Sequence, residues 1–317
     1  MPARPLAAAL AALVALVPLA CGGDGDEAAA PRVTTAAVEQ PAARFPVTIE
    51  AANGPVVLEE RPDRIVSLSP TATESLFAIG ASDQVVAVDD QSNHPADAPR
   101  TDLSGFQPNV EAIVGYEPDL VVAGFDPGGL VDGLEEVGAT VLLQPAARDL
   151  DEAYAQIEEL GAATGRVEEA GELVEDMDTR IGELVESASA DAEGLSVYHE
   201  LGPDLFSATS QTFIGSVYEL LGLDNIADEA GGGAPDYPQL SAEYVLSADP
   251  DLVVLADTRC CGQTAATLAS RPGWKRIGAV ADGRVVEAED DVASRWGPRT
   301  VEFVELVAAA IEEPGGR

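Results

Sequence analysis

Aromatic side chains are gathered in the loops that follow the predicted strands of this chain. Only 5% of the 317 residues are aromatic, and ligands of open α/β sheets bind beyond the carboxyl ends of the strands. Aromatic rings suit a large, flat, partly apolar ligand such as a corrin or a metal chelate. We therefore predict a ligand site formed by Thr71, Phe106, Phe125, Phe206, Tyr237 and Trp296. Taken singly, each ring could instead serve only to pack its own loop.

Two arginines in the same loops could orient that ligand. The guanidinium groups of Arg259 and Arg295 can bind carboxylate, phosphate or hydroxamate oxygens through paired hydrogen bonds. The alternative is a salt bridge within a chain of 56 acidic and 17 basic residues, whose formal net charge is −39. A surface this negative repels nucleic acid, so we predict no nucleic-acid partner.

Sequence motifs of catalysis are missing. The chain has no Gly-Lys-Ser/Thr phosphate loop, no Gly-x-Ser-x-Gly elbow, no His-Glu-x-x-His and no dinucleotide glycine triplet. After Cys21, His94, His199 and Met177 are the only histidines and methionine, which disfavours capture of a bare metal ion. We predict a protein that is not an enzyme and has no cofactor or metal of its own, although its ligand can be a metal chelate or corrinoid. A chelatase-like two-lobe enzyme acting on a tetrapyrrole or metal chelate is the alternative.

Short apolar runs alternate with helical segments from Arg64 onward, which predicts α/β units with mostly parallel strands. Thr71 and Glu74 have the spacing of a capping box at the start of the first helix. The stretch YEPDLVVAG at Tyr116 recurs as ADPDLVVLA at Ala248, 132 positions later. Each copy predicts a helix that ends before a proline and a central strand buried on both faces.

A long helical segment separates the two copies. Residues 149–190 have a strong helical period, and a piece of about 22 residues would form a rod of roughly 33 Å. We therefore predict two Rossmann-like α/β lobes, residues 63–148 and 191–317, joined by one long backbone helix within 149–190.

The first 21 residues are typical of a lipoprotein signal peptide. An apolar run from Leu6 to Ala20 precedes Cys21 in PLACGG, which is similar to a lipobox with Cys21 as the lipidated residue. An ordinary secreted protein is the alternative. Residues 22–62 are rich in Gly, Ala, Pro and acids, so we predict a flexible tether. We expect the protein to lie at the extracytoplasmic face of the cell membrane.

Two further cysteines are adjacent, at 260 and 261. An exported protein meets conditions that favour disulfides, so we predict a vicinal Cys260–Cys261 disulfide that stiffens a cleft loop and presents an apolar face to the ligand. Two reduced thiols or a metal pair are the alternatives.

The order of these parts resembles the substrate-binding lipoproteins of bacterial ATP-driven importers for cobalamin, ferric siderophores and haem. The pieces that carry the resemblance lie between Arg64 and Glu313 and read RIVSLSPTATESLFAIG, VEAIVGYEPDLVV, YELLGLDNIAD and YPQLSAEYVLSADPDLVVL. The resemblance implies a monomer that holds its ligand between the lobes and delivers it to a permease dimer with its ATPase. It also implies one acidic docking residue per lobe, which we match to Glu74 and Glu219.

Overall fold

Two four-stranded parallel sheets dominate a computed structural model that describes residues 45–230 and 236–312. In chain order the strands are Val47–Ala51 (β1), Gly54–Leu58 (β2), Ile65–Leu68 (β3), Val85–Val88 (β4), Leu120–Ala123 (β5), Val141–Leu143 (β6), Ser196–Glu200 (β7), Asp224–Asn225 (β8), Leu252–Leu255 (β9) and Val285–Glu287 (β10). The helices are Pro70–Ala78 (α1), Val110–Val114 (α2), Leu130–Glu135 (α3), Leu150–Thr164 (α4), Val167–Ala192 (α5), Phe213–Leu220 (α6), Ala242–Ala248 (α7), Thr258–Cys261 (α8), Ala265–Ser270 (α9), Gly278–Asp282 (α10), Asp290–Ser294 (α11) and Thr300–Glu312 (α12).

Each lobe is built around one of these sheets. In lobe 1 the strand order is β4-β3-β5-β6, and in lobe 2 it is β10-β9-β7-β8. The strands β3, β5 and β9 are buried along their whole length, as expected for parallel strands with helices on both faces. The predicted two-lobe α/β fold is confirmed.

The repeated stretch forms the same local structure in both lobes. Asn109 and Ser241 each cap the helix that precedes the repeat. Glu117 and Asp249, the residues before the two prolines, have φ values of 48° and 50°. This left-handed conformation ends the helix and turns the chain into the central strand. The identical spacing therefore reflects one helix-to-strand connection used twice.

Two helices join the lobes. α4 and α5 meet at Gly165, which has the left-handed conformation of a helix C-terminus, and α5 spans 26 residues, or about 39 Å. The α5 helix packs against both α4 and α12 of lobe 2. A single hydrophobic cluster runs from lobe 1 through α4 and α5 into α12, so the connection between the lobes is a packed core.

Helix α1 begins differently from our prediction. Its N-cap is Ser69, whose side chain accepts a hydrogen bond from the backbone N–H of Ala72, and Pro70 occupies the first turn. The capping box predicted for Thr71 and Glu74 is therefore wrong. Both side chains are buried instead of closing the helix end.

A β-hairpin precedes lobe 1 where we predicted a flexible tether. β1 and β2 pair in antiparallel fashion across a turn at Ala52 and Asn53, with Gly54 already in β2, and the Asn53 side chain bonds to Val141 and Leu143 of the edge strand β6. The tether prediction for residues 22–62 is wrong over this hairpin. An Asn-Gly pair between two apolar runs is a strong hairpin signal that our sequence reasoning missed.

The predicted signal peptide, Cys21 and tether residues 22–44 lie outside the described residues. Within the ranges that the structure describes, none of the helices combines the length and apolar character that a membrane crossing requires.

Candidate functional site

Residues that follow the carboxyl ends of strands in the two sheets contact each other between the lobes, where we predict the cleft. On the lobe 1 side, the loop after β4 contributes Asn93, which donates to Asp291 of α11 in lobe 2 at 2.7 Å. The backbone of Gly297 lies against Thr71 of α1. We call the region of these contacts the base of the cleft, and we expect the remaining loops after the strands to line its walls.

Four aromatic side chains of the loops predicted to line the cleft are exposed. Phe106 and Phe125 in lobe 1 are 64% and 47% exposed, and their ring centroids are 5.4 Å apart. Phe206 and Tyr237 in lobe 2 are 42% and 47% exposed. Water is an unfavourable environment for four such rings, so the arrangement suits an apolar, flat ligand. Phe213, by contrast, is buried at the start of α6.

The two lobe 2 aromatics belong to paired backbone segments. Phe206 forms an antiparallel β-bridge with Gln239, and the N–H of Ser207 donates to the carbonyl of Pro238 at 2.9 Å. This pairing holds the segments that contain Phe206 and Tyr237 side by side. The two rings are thus presented by a braced pair of strands instead of by two independent loops.

A buried ion cluster joins the lobes at the base of the cleft. We call Glu74, Arg295 and Arg299 the interlobe cluster. The Glu74 carboxylate of lobe 1 accepts from Arg295 Nη1 at 2.6 Å and from Arg299 Nε and Nη2 at 2.9 and 2.6 Å. Hydrogen bonding to Glu74 raises the pKa of the Arg299 guanidinium. Arg295 also contacts Asn93, Gln91 and Asp291.

These contacts change two of our predicted roles. Glu74 is only 3% exposed and is held by two guanidinium groups, so the permease-docking role does not fit this structure. Arg295 is 9% exposed and all its contacts are internal, so the salt-bridge alternative fits it better than the role of ligand anchor. Glu219 is exposed on α6, and its docking role stays a prediction.

Trp296 and Thr71 also lie at the base of the cleft. The indole N–H of Trp296 donates to the side chain of Gln156 in α4 at 2.8 Å, and Thr71 is 7% exposed. Both residues line a narrow gap between α1 and α4. Both side chains are therefore largely taken up by packing and by contacts between the lobes, and their role as ligand contacts stays a prediction.

The loop after β9 contains Arg259 and the two adjacent cysteines. The structure contains the Cys260–Cys261 disulfide, and all three side chains are exposed. Arg259 forms an ion pair with Glu289 and lies 3.7 Å from Asp291. Because Arg259 is 61% exposed, it remains accessible to a ligand despite these pairs.

Lobe 2 has a second buried ion pair that sequence reasoning missed. The carboxylate of Glu200, at the end of β7, accepts two hydrogen bonds of 2.6 Å from Arg271 and one of 3.0 Å from Tyr198. Hydrogen bonding to Glu200 raises the pKa of Arg271, whose guanidinium also lies 4.7 Å from the centroid of the Trp274 ring. This pair fixes the end of the central strand beneath the cleft loops.

Asp257 lies close to that pair and follows β9. It is fully buried, and within the described residues neither of its carboxylate oxygens has a hydrogen-bond partner. Burial, with a smaller contribution from the charge of Glu200, raises the pKa of Asp257 to about 7. No pattern in the sequence distinguishes this aspartate from the others.

The histidines do not form a metal centre. His94 is exposed, whereas His199 is fully buried between Tyr218 and Phe303 in the core of lobe 2. Burial lowers the pKa of His199 to about 3. In the part of the chain that the structure describes, no group of three or more His, Cys, Asp or Glu residues is placed to hold a metal ion.

Two α/β lobes joined by packed helices, with residues after the strand ends in contact between them, have the architecture of a two-lobed solute-binding protein. Comparison with known proteins agrees, because residues 65–292 match the family model described as periplasmic binding protein. The chain therefore belongs to the periplasmic binding protein family.

Relatives with related names cover most of the chain. The ABC transporter substrate-binding lipoprotein YvrC of Bacillus subtilis is 31% identical over 312 residues, which is 95% of each chain. A cobalamin-binding protein of Halobacterium salinarum is 34% identical over 281 residues, covering 85% of this chain and 75% of that one. The predicted family and its function as the substrate-binding protein of an ABC importer are confirmed, and the chelatase-like alternative finds no support.

Solved structures show the same architecture. The periplasmic vitamin B12 binding protein BtuF of Vibrio cholerae has a TM-score of 0.67 and 26% identity, covering 79% of this chain and 97% of that one. The periplasmic haem-binding protein RhuT of Roseiflexus sp. RS-1 has a TM-score of 0.69 at 23% identity, covering 78% and 97%. The second likeness concerns the fold alone.

Proposed function

We propose that this protein binds a corrinoid in the cleft between the Phe106–Phe125 pair of lobe 1 and the Phe206–Tyr237 pair of lobe 2. The observation that carries the proposal is the exposure of all four rings in the loops after the strands of the two sheets. A corrin is a broad, flat macrocycle, and its contact with these rings would remove their apolar surface from water.

The arginines near the cleft are paired with carboxylates, which favours a ligand that needs no unpaired guanidinium group for its binding. Arg295 is buried in the interlobe cluster, and Arg259 is paired with Glu289. A strongly anionic ferric siderophore would have to compete with these carboxylates for its guanidinium partners. Haem ligation by His199 would require this fully buried side chain to leave the core. The names of the cobalamin-binding and vitamin B12-binding relatives support the same choice.

Anchoring and delivery complete the proposal. The protein acts as a monomer, held by a lipid on Cys21 at the extracytoplasmic face of the membrane. It has no cofactor and carries out no chemistry on its ligand. Glu219, exposed on α6, contacts the permease dimer, whose ATPase powers import.

The test is direct ligand binding. The chain with Cys21→Ser is titrated with cyanocobalamin, cobinamide, haem, and a hydroxamate and a catecholate ferric siderophore, and binding is followed by equilibrium dialysis. We expect saturable binding of the two corrinoids. Replacing Phe106 and Phe206 by alanine should cost about 2 kcal/mol together, which weakens binding about 30-fold.

Leu306→Ala provides the matched control, because Leu306 is an exposed apolar residue on α12. This variant should bind as the parent does. Selective binding of haem or of one siderophore would replace the corrinoid by that ligand class. A lack of binding to every ligand in the panel would contradict the proposed function itself.

A further inference from the structure

The Cys260–Cys261 disulfide cannot serve as an ordinary staple of the fold. Disulfides stabilise proteins mainly by closing loops in the unfolded chain, and a bond between neighbouring residues closes no such loop. Both cysteines are exposed, and exposed disulfides are the ones that exchange with external thiols. The effect of this bond must therefore be local, on the turn Thr258–Cys261 (α8), which we call the disulfide turn.

The disulfide turn is held by a side chain from another segment. The carboxylate of Asp290 accepts hydrogen bonds from the backbone N–H groups of Arg259 and Cys260, both at 2.8 Å. It also lies 3.2 Å from the hydroxyl of Thr258, which is a hydrogen-bond donor. Asp290 is the first residue of α11, so these bonds fasten the disulfide turn to the start of that helix.

A second acceptor lies next to the same amides. Asp257 is the N-cap residue of α8, and an N-cap side chain ordinarily accepts from the second or third amide of its helix. Here those amides belong to Arg259 and Cys260, and Asp290 has taken both. Asp257 is left buried, with neither carboxylate oxygen partnered within the described residues. Two carboxylates thus compete for one pair of donors.

The segment that contains Asp290 also holds the lobes together. Its next residue, Asp291, accepts from Arg295 at 2.7 Å, and Arg295 in turn donates to Glu74 of lobe 1 at 2.6 Å. Arg259 of the disulfide turn is paired with Glu289 of the same segment. A continuous series of polar contacts therefore connects the disulfide turn to the interlobe cluster.

We propose that Cys260–Cys261 is a redox site for an external dithiol, and that its reduction moves the Arg259 and Cys260 amides from Asp290 to Asp257. Opening the small disulfide ring gives the turn the backbone freedom that this exchange of acceptors requires. Residues 289–299 then lose the two amide hydrogen bonds that fasten Asp290 to the turn and become less protected. This inference goes beyond ligand binding and does not depend on which ligand the cleft takes.

The reduction is balanced by the dithiol alone. One thiolate of the dithiol attacks one Sγ, the Cys260–Cys261 bond breaks, and the other Sγ leaves as a thiolate that takes a proton. The second thiol of the reagent then displaces the mixed disulfide. Two electrons and two protons pass to the protein, and the reagent ends as its own disulfide.

Hydrogen exchange of the chain with Cys21→Ser tests the proposal, with dithiothreitol as the dithiol and maleimide mass shifts to count the thiols. Reduction at neutral pH should yield two thiols in the folded protein. It should also speed amide exchange in residues 289–299 about tenfold, while the amides of Arg259 and Cys260 stay protected. The Cys260→Ser/Cys261→Ser variant should show the same pattern without reductant.

Asp257→Ala supplies the decisive comparison, because it removes the second acceptor. In this variant, reduction should leave residues 289–299 as protected as they are in the oxidised protein. The proposal is overturned if the disulfide resists dithiothreitol until the protein unfolds, if reduction leaves exchange in 289–299 unchanged, or if Asp257→Ala shows the same acceleration. If Asp257→Ala does not fold, the Cys260→Ser/Cys261→Ser variant decides the question. If amide exchange in residues 289–299 of that variant is as slow as in the oxidised protein, the proposal is also overturned.

Discussion

Removing the carboxylate of Glu74 should strongly destabilise the protein. The Glu74 side chain is 1% exposed, and those of Arg295 and Arg299 are 9% and 11% exposed. Breaking a buried pair by deleting one partner costs about 3–5 kcal/mol, because it leaves an uncompensated buried charge. Glu74→Gln keeps the volume and one acceptor oxygen, and Arg295 keeps Asp291. We therefore expect a loss near the lower limit, about 3 kcal/mol.

Urea unfolding followed by circular dichroism measures this loss, and thermal unfolding should show a decrease of roughly 6–12 °C. Glu219→Gln is the matched control, because Glu219 is an exposed glutamate on a lobe 2 helix. This change should alter the free energy of unfolding by less than about 0.5 kcal/mol. Buried pairs are screened little by salt, so the difference between the two variants should persist in 1 M NaCl, where the Debye length is about 3 Å.

The double variant separates the ion pair from general damage to the site. Arg299 has few other partners, since its contact with Glu289 is 3.8 Å long. Combining Glu74→Gln with Arg299→Gln should therefore cost clearly less than the sum of the single variants. The reasoning is refuted if Glu74→Gln costs less than about 1 kcal/mol, or if the two single losses simply add.

Two further predictions concern the packing of the connecting helices and the buried histidine. Gly161→Ala should destabilise the protein by about 1–3 kcal/mol, because the added Cβ would lie 2.4 Å from Cβ of Ala170. The control, Gly182→Ala, has open space around it and should be neutral or stabilising by up to about 1 kcal/mol. Equal effects of the two changes on urea unfolding would contradict the packing argument. Burial lowers the pKa of His199 to about 3, so the unfolded chain binds a proton near pH 6.5 that the folded protein does not bind. The stability that neutral His199 provides is present above pH 6.5 and is lost as the pH falls toward 3, by about 2 kcal/mol between pH 7 and 5. His199→Gln should remove that part of the slope, and an unchanged slope in urea unfolding at both pH values would refute the assignment.

The fold was predictable where the sequence pattern and the local structure have one cause. The strands of the two Asp-Leu-Val-Val copies are apolar because both faces are covered, and they became β5 and β9 as predicted. The Asn-Gly hairpin was equally readable but was hidden in a segment whose composition resembles a tether. Composition averages over a segment, whereas a hairpin depends on two residues at its turn.

The candidate site was predictable in part. Aromatic residues make up only 5% of the chain, so their positions after strands are informative, and Phe106, Phe125, Phe206 and Tyr237 are all exposed. The burial and pairing of Glu74 could not be predicted, because the family resemblance says nothing about which residues face it in this chain. Its partners Arg295 and Arg299 lie more than 200 residues away in the sequence, and no local pattern reports a contact of that range.

The scarcity of basic residues explains why the arginines serve the fold while the aromatic rings are left for the ligand. With 17 basic residues against 56 acidic ones, a buried arginine in this chain readily finds a carboxylate partner. Arg271 and Arg295 are held by Glu200 and Glu74, two carboxylates buried at or near the strand ends. In these pairs the guanidinium groups hold a strand end and the two lobes in place. In the proposed binding mode, recognition of the ligand then depends mainly on the exposed rings, which are uncharged and need no cation. A cleft of this kind selects by shape and apolar contact, as the proposed corrinoid ligand requires.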